Sequence, residues 1–442
     1  MNRYLSLILL FILLVACRPT TFPSPTPITA QPTESRPEPT LTNISPTSTP
    51  IPPTPTTISA TDTPPSATAT QTPIPPTETS TPTLVPTPVN ITLGPFQAVA
   101  GLPAGTDDDN WRLYQSADGQ LWFVGDSQIE RFVDNGWQFY TTYAGEFKGI
   151  DSSGRVWVFR KNGLISSIDG AANQVIYNQD SGWPVVDWAE EMVLDSSGRV
   201  WFLTSDDIRH LEGEQWIITT FAEAGLAVVE DESYEPTYRL ISNGTIWLSH
   251  CNWAGPGPAG GVGVRWFDGT TWQGADSPIA ECISEMVSLA PDDVWFGGEQ
   301  AVWHYQAGTW QQVSFPAAPA GSNGLGFVYH LVIDSTNTPW PTLSLCGGAS
   351  CFAGEILYSL EGFNWQPVEG WPDVVPIEPL AIGSDPQGNQ WLFSNRGLFQ
   401  WQNNELVLWP DLTQIRVPAG NPTFQWFAAE YEGQLLLWKM IE

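Results

Sequence analysis

Basic residues are scarce in this sequence: Lys+Arg number 16 against 47 Asp+Glu in 442 residues, a formal net charge of -31. A polyanion of that size is repelled by phosphate backbones, which excludes nucleic acid as a partner. Charged residues of both signs make up only 14% of the chain, against roughly 25% in an average globular domain. That argues against coiled coils and charge-laced helical arrays. The apolar stretch from Tyr4 to Ala16 has 13 residues, short of the about 20 that cross a bilayer core. Glycine is missing before Gly94, and Phe22 is the only aromatic residue between Arg18 and Asn90, so this segment has nothing from which to build a core. Tryptophan behaves in the opposite way. All 23 lie at or after Trp111, whereas half of the 40 prolines lie between Arg18 and Asn90. The chain is therefore two physical objects in series.

The first object begins with a targeting segment. Asn2-Arg3 gives a positive start, and Tyr4 to Ala16 fits the apolar region of a secretory signal. Leu14-Val15-Ala16-Cys17 resembles the lipobox of bacterial lipoproteins. The resemblance implies that residues 1–17 are a signal peptide ending at the lipidated residue. Cys17 would become the first mature residue and carry the lipid, so the protein would be exported and anchored on the outer side of the bacterial membrane, at the cell surface. Residues 18–89 then read as a disordered Pro/Thr-rich stalk. Proline favours extended polyproline II, and at about 3.1 Å per residue such a spacer reaches roughly 200 Å when fully extended. Its dense Thr and Ser also resemble O-glycosylated stalks.

The second object, residues 90–442, is a repeat. A turn ending in Gly or a substitute is followed by two residues and a Trp, as in Gly119-Gln120-Leu121-Trp122, Gly154-Arg155-Val156-Trp157 and Gly198-Arg199-Val200-Trp201. The pattern recurs at Trp247, Trp295, Trp391, more weakly at Trp340, and finally with Leu436 in the Trp slot. Subtraction gives intervals of 35, 44, 46, 48, 45, 51 and 45 residues. A period in the forties with strand-like content marks a propeller blade. Each unit holds two continuous apolar strands, an alternating third such as Val302-Trp303-His304-Tyr305, and a fourth after a tight turn. The turn sequences Asp151-Ser152-Ser153-Gly154, Asp195-Ser196-Ser197-Gly198 and Asp385-Pro386-Gln387-Gly388 suit an Asp cap with Gly at φ > 0.

The last repeat has only two strands, and the N-terminal end supplies what is missing. Phe96 to Pro103 aligns with Trp365 to Pro372, a fourth strand, and Asn90 to Leu93 before it reads as the third. The predicted fold is all-β: a propeller of eight four-stranded blades, with seven as the alternative, closed by pairing of its two ends.

These repeats resemble the two-component-regulator propeller family, on Asp118-Gly119-Gln120-Leu121-Trp122-Phe123 with Ile129-Glu130-Arg131-Phe132, and on Val264 to Trp272. The resemblance implies an extracytoplasmic sensor or binding module. The turn Ser116 to Trp122 also looks like the sialidase Asp-box, one residue shorter between Asp and Gly, and the Trp repeats resemble streptogramin-lyase propellers, whose chemistry requires a histidine. His250 is the one His near the insertion face and is the only catalytic candidate.

Cys251, Cys282, Cys346 and Cys351 make an even set in an exported chain. Four cysteines allow three pairings. Loops joining second to third strands share a face with the blade-to-blade loops, which favours Cys251–Cys282 and Cys346–Cys351. The same face collects the long insertions Asn178–Glu191, Phe221–Tyr238, His250–Gly263 and Cys346–Gly354. They carry a candidate binding rim of Trp183, Asp187, Trp188, Glu190, Glu191, Trp253 and Trp371, with Asp107 to Asp109 and Glu230 to Glu232 nearby. Aromatic rings with carboxylates suit a glycan or a cationic peptide. The residue pattern holds no metal site. No cofactor is expected, with Ca2+ at the acidic rim as the alternative. The expectation is a monomeric surface module that recognises an extracellular glycan, peptide or membrane protein. The alternative is a propeller enzyme of the lyase or glycosidase type.

Overall fold

The computed structural model describes residues 89, 91–103, 110–190, 192–226, 235–254, 257–258, 261, 263–319, 324–347, 350–361, 364–371, 378–403, 405–420 and 425–441. All belong to the unit Ser80–Glu442. The signal peptide with Cys17 and nearly all of the stalk lie outside the described residues.

Eight antiparallel sheets form the ring, each built on four strands; in seven of them these follow in sequence order. Blade 1 is typical: Arg112–Gln115, Leu121–Val124, Gln128–Val133 and Gly136–Thr142. The second strands are buried on both faces, as in Leu121–Val124, Val156–Phe159 and Val200–Leu203, which is why they read as unbroken apolar runs. Eight hydrophobic clusters fill the spaces between neighbouring blades. The repeat tryptophans Trp122, Trp157, Trp201, Trp247, Trp295, Trp340 and Trp391 each pack on the blade that follows. The eighth cluster joins Ala428 and Leu437 of blade 8 to Trp111, Leu113 and Phe123 of blade 1. The core is thus an annulus, and the ring is closed.

The inner turns explain the spacing of Asp and Trp. Asp195 Oδ1 accepts the backbone N–H groups of Ser197 and Arg199, at 2.9 and 3.0 Å, while Oδ2 accepts the indole N–H of Trp201 at 3.1 Å. The same pattern ties Asp151 to Trp157 at 2.9 Å, Asp334 to Trp340 at 3.1 Å and Asp385 to Trp391 at 3.0 Å. One carboxylate closes the turn and satisfies an indole that packing would otherwise bury unpaired. The weak copy at Trp340 is therefore a full blade, with Asn337 at φ 61° in the place of glycine.

Closure differs from the sequence expectation in one respect. Phe96–Gly101 pairs with Gln434–Met440, so it is the third strand of blade 8, and Ile91–Leu93 is the outer fourth. The order is reversed because Phe96, Ala98 and Ala100 are all buried while Ile91–Leu93 is not. The chain enters from outside and turns inward at Gly94. Two short strands from the linker between blades 7 and 8 add to first strands: Thr413–Arg416 to that of blade 8, and Ala419–Gly420, in parallel, to that of blade 1. Arg416 locks this linker by donating to Trp111 O at 2.5 Å with its guanidinium 4.1 Å from the Trp111 ring.

Candidate functional site

First strands line the channel of the ring. On blades 8 and 1 they carry the linker just described. On blades 3 to 6 they leave a cavity of about 820 Å³, walled by Glu190 and Met192, by Thr237 to Arg239, by Ser284 to Met286, and by Phe327 to His330. A smaller cavity of about 260 Å³ continues it toward the turn ends, where Met286, Leu331, Ile333 and Ala381 make an apolar floor. The upper cavity falls within the size range of small-molecule sites, an apolar enclosure with a few convergent polar groups.

Those polar groups are Arg239, Glu285 and His330. The repeat brings them together: they occur 46 and 45 residues apart, at similar places on three consecutive first strands. Arg239 Nη2 lies 3.0 Å from Glu285 Oε1, with the Arg239 side chain 55% exposed and that of Glu285 21%. Burial pushes the Glu285 carboxyl up to about 7. Arg239 opposes that shift, and the charge of Glu378 adds to it. Burial, helped by the nearby positive charge of Arg239, pushes His330 down to about 4, so its imidazole is neutral near pH 7. Tyr238, Phe327 and the half-exposed Tyr329 complete the wall. The arrangement offers a cation, a carboxyl that titrates near neutrality, a neutral imidazole and aromatic faces in one partly dry space.

The rim expected from sequence comes apart. Trp183 is fully buried, edge-on to Trp216 at 4.8 Å, donating to Gly163 O and carrying the guanidinium of Arg209 on its ring at 4.5 Å. Trp371 is buried against blades 6 and 7. These two indoles are core residues of long loops, because a loop of that length needs its own apolar anchor. Asp187, Trp188 and Glu190 are exposed, and Glu190 reaches the channel cavity. Glu191, Asp107 to Asp109, Glu230 to Glu232 and the side chain of Trp253 lie outside the described residues.

His250 is fully buried behind Tyr238, their ring centroids 5.0 Å apart. Neither ring nitrogen has a hydrogen-bond partner of normal geometry, although Asn252 is close, and burial lowers its pKa. It is not among the residues that line the channel cavity. His330, not His250, is the histidine that faces the channel.

Cys251 and Cys282 form the expected disulfide. Cys346 is also disulfide-bonded, and the side chain of its expected partner Cys351 lies outside the described residues. Disulfides persist in oxidising compartments, in keeping with an exported protein. Among the described residues no group of three or more His, Cys, Asp and Glu is placed to hold a metal ion, and no helix is long and apolar enough to cross a membrane.

No family model matches the sequence, and no curated protein matches it. Solved structures similar to the chain include virginiamycin B lyase from Staphylococcus aureus, at 13% identity and a TM-score of 0.37, over 78% of this chain and 99% of that one. The extracellular domain of a one-component system from B. thetaiotaomicron matches at 11% identity and a TM-score of 0.38, over 77% of this chain and 52% of that one. AztD from Citrobacter koseri matches at 13% and 0.38, over 75% and 95%. The residues of the channel, not these likenesses, carry the functional reading.

Proposed function

We propose that this protein is a recognition module held at the outer surface of a bacterial membrane by a lipid on Cys17, carried on the stalk 18–89, and that its ligand binds in the mouth of the propeller channel. The observation that carries this reading is the cavity of about 820 Å³ in which Arg239, Glu285, His330 and Tyr329 converge. Neighbouring surface is acidic, with 43 acids against 13 bases after residue 89, so a guanidinium held there stands out. Glu190 lines the cavity, and the exposed Asp187 and Trp188 precede it in the same loop and serve as secondary contacts.

An affinity-selection screen of the full chain in detergent, against mixed glycans, peptides and small organic ions, tests the reading. Binders that lose at least tenfold in Tyr329→Ala and persist in Trp188→Ala support the channel. Binders with the opposite pattern place recognition on the rim and refute it. Cys17→Ser should move the protein from the membrane fraction to the soluble fraction.

An enzymatic reading of the lyase or glycosidase type has one observation in its favour, the Glu285 carboxyl poised near 7, the range suited to general acid–base work. On that reading Glu285→Gln abolishes turnover of a bound ligand while binding persists.

A further inference from the structure

We infer that the channel cavity takes a ligand bearing a free carboxylate, clamped by Arg239 and held by aromatic contact along Tyr329. This rests on the channel-mouth reading above and gives it a ligand class.

Six of the other nine arginines of the propeller have a structural contact. Arg112, Arg131, Arg199, Arg209 and Arg416 lie against aromatic rings. Arg265 bonds the carbonyls of Gly225 and Gly274. Arg239 does neither. Among the described residues its one ion pair runs through Nη2 to Glu285, and its side chain is half exposed to the cavity. A guanidinium presents five N–H donors in a planar fork, and a single Nη2 contact leaves most of that fork open. The fork matches a carboxylate in bidentate geometry.

Glu285 is a replaceable partner. Its carboxyl is easily protonated for an acid because burial disfavours its charge, so an incoming carboxylate can take over the guanidinium while Glu285 accepts a proton. The rest of the cavity sets the ligand's other properties. Met192, Phe327, Tyr238 and Tyr329 supply an apolar enclosure. Neutral His330 offers one donor and one acceptor. The carboxylate of Glu190 at the edge disfavours a second carboxylate and tolerates an ammonium. The class is therefore a monocarboxylate with an aromatic or apolar body, either a small organic acid or the C-terminus of a short peptide.

The test is isothermal titration calorimetry of the full chain with N-acetyltryptophan, its amide, and the peptide Ala-Ala-Phe with free and amidated C-termini, the peptide arm separating the two sources. The acids are expected to bind at least tenfold more tightly than their amides. Arg239→Gln should remove that preference, Arg239→Lys should restore part of it, and Glu285→Gln should strengthen acid binding severalfold by freeing the fork. Equal binding of acids and amides overturns the carboxylate inference and leaves the channel reading standing, provided that Tyr329→Ala still weakens both. Acid binding that survives in Arg239→Gln, or is lost in Glu285→Gln, also overturns it. If none of the four probes binds, the inference and the channel reading fall together.

Discussion

Phe96→Ala tests the closure of the ring with a single side chain. Phe96 is fully buried at the join between blades 7 and 8. Its ring stands edge-on to Trp391 at 4.8 Å, Phe427 at 5.2 Å and Phe393 at 6.2 Å. Deleting a buried phenyl ring costs about 3 to 5 kcal/mol when neighbours cannot collapse into the space. Here they are rigid rings on two different blades, so the upper half of that range is expected. With an unfolding entropy of about 2.1 cal/mol/K per residue over about 350 residues, the loss corresponds to a fall in Tm of roughly 4 to 7 °C. Differential scanning calorimetry measures it. The control is Phe139→Ala, on the outer strand of blade 1 and 56% exposed, which should change stability by less than about 0.5 kcal/mol. A fall below 1 °C for Phe96→Ala would refute the docked strand and with it the eighth blade.

Three further outcomes follow from named contacts. Asp195→Ala removes a carboxylate that serves the turn and Trp201 together; its pKa is lowered to about 2, mainly by hydrogen bonds from Ser197, Trp201 and Arg199 that outweigh burial. The variant should lose about 2 to 3 kcal/mol in urea at pH 7, and the deficit should shrink as pH falls from about 4 through 2, where the wild-type carboxylate is itself protonated. Cys251→Ser with Cys282→Ser opens a loop with a sequence separation of 31. The chain-entropy relation gives a loss of about 3 to 4 kcal/mol, read as a lower Tm under non-reducing conditions. Glu285 has a folded pKa raised to about 7 from an ordinary 4.5, so the stability it contributes is full below about 4.5 and is lost as pH rises through 7. Glu285→Gln should flatten that part of the stability–pH curve and be more stable than the wild type at pH 8.

The propeller was legible because its repeat is chemical as well as hydrophobic. Asp, a polar turn, Gly and Trp recur together, since one carboxylate must meet both the turn amides and the indole. Blade number followed from counting those turns, including the one at Asn337, where a left-handed asparagine stands in for glycine. The order of the two N-terminal strands was not legible, because alignment to a fourth strand does not reveal which edge is open. Nor was the fate of the loop tryptophans: Trp183 and Trp371 look like surface aromatics in sequence, and only tertiary packing hides them. The channel triad had a signal that local motifs do not carry. Arg239, Glu285 and His330 stand on first strands at nearly constant distance upstream of Trp247, Trp295 and Trp340, and stacking the repeats in register brings them side by side.

The pairing of Phe96 with Met440 has a consequence for how the molecule is made. Seven blades can assemble as they emerge, each from contiguous chain. Blade 8 cannot, since its third strand is among the first residues of the propeller to be synthesised and the partner of that strand is among the last. Until residues 434–440 have been made, Phe96, Ala98 and Ala100 lack the strand they pair with, an apolar edge of the kind that aggregates when left bare. Fastening of the two ends cannot precede the synthesis of Gln434–Met440, so the ring closes only on a nearly complete propeller.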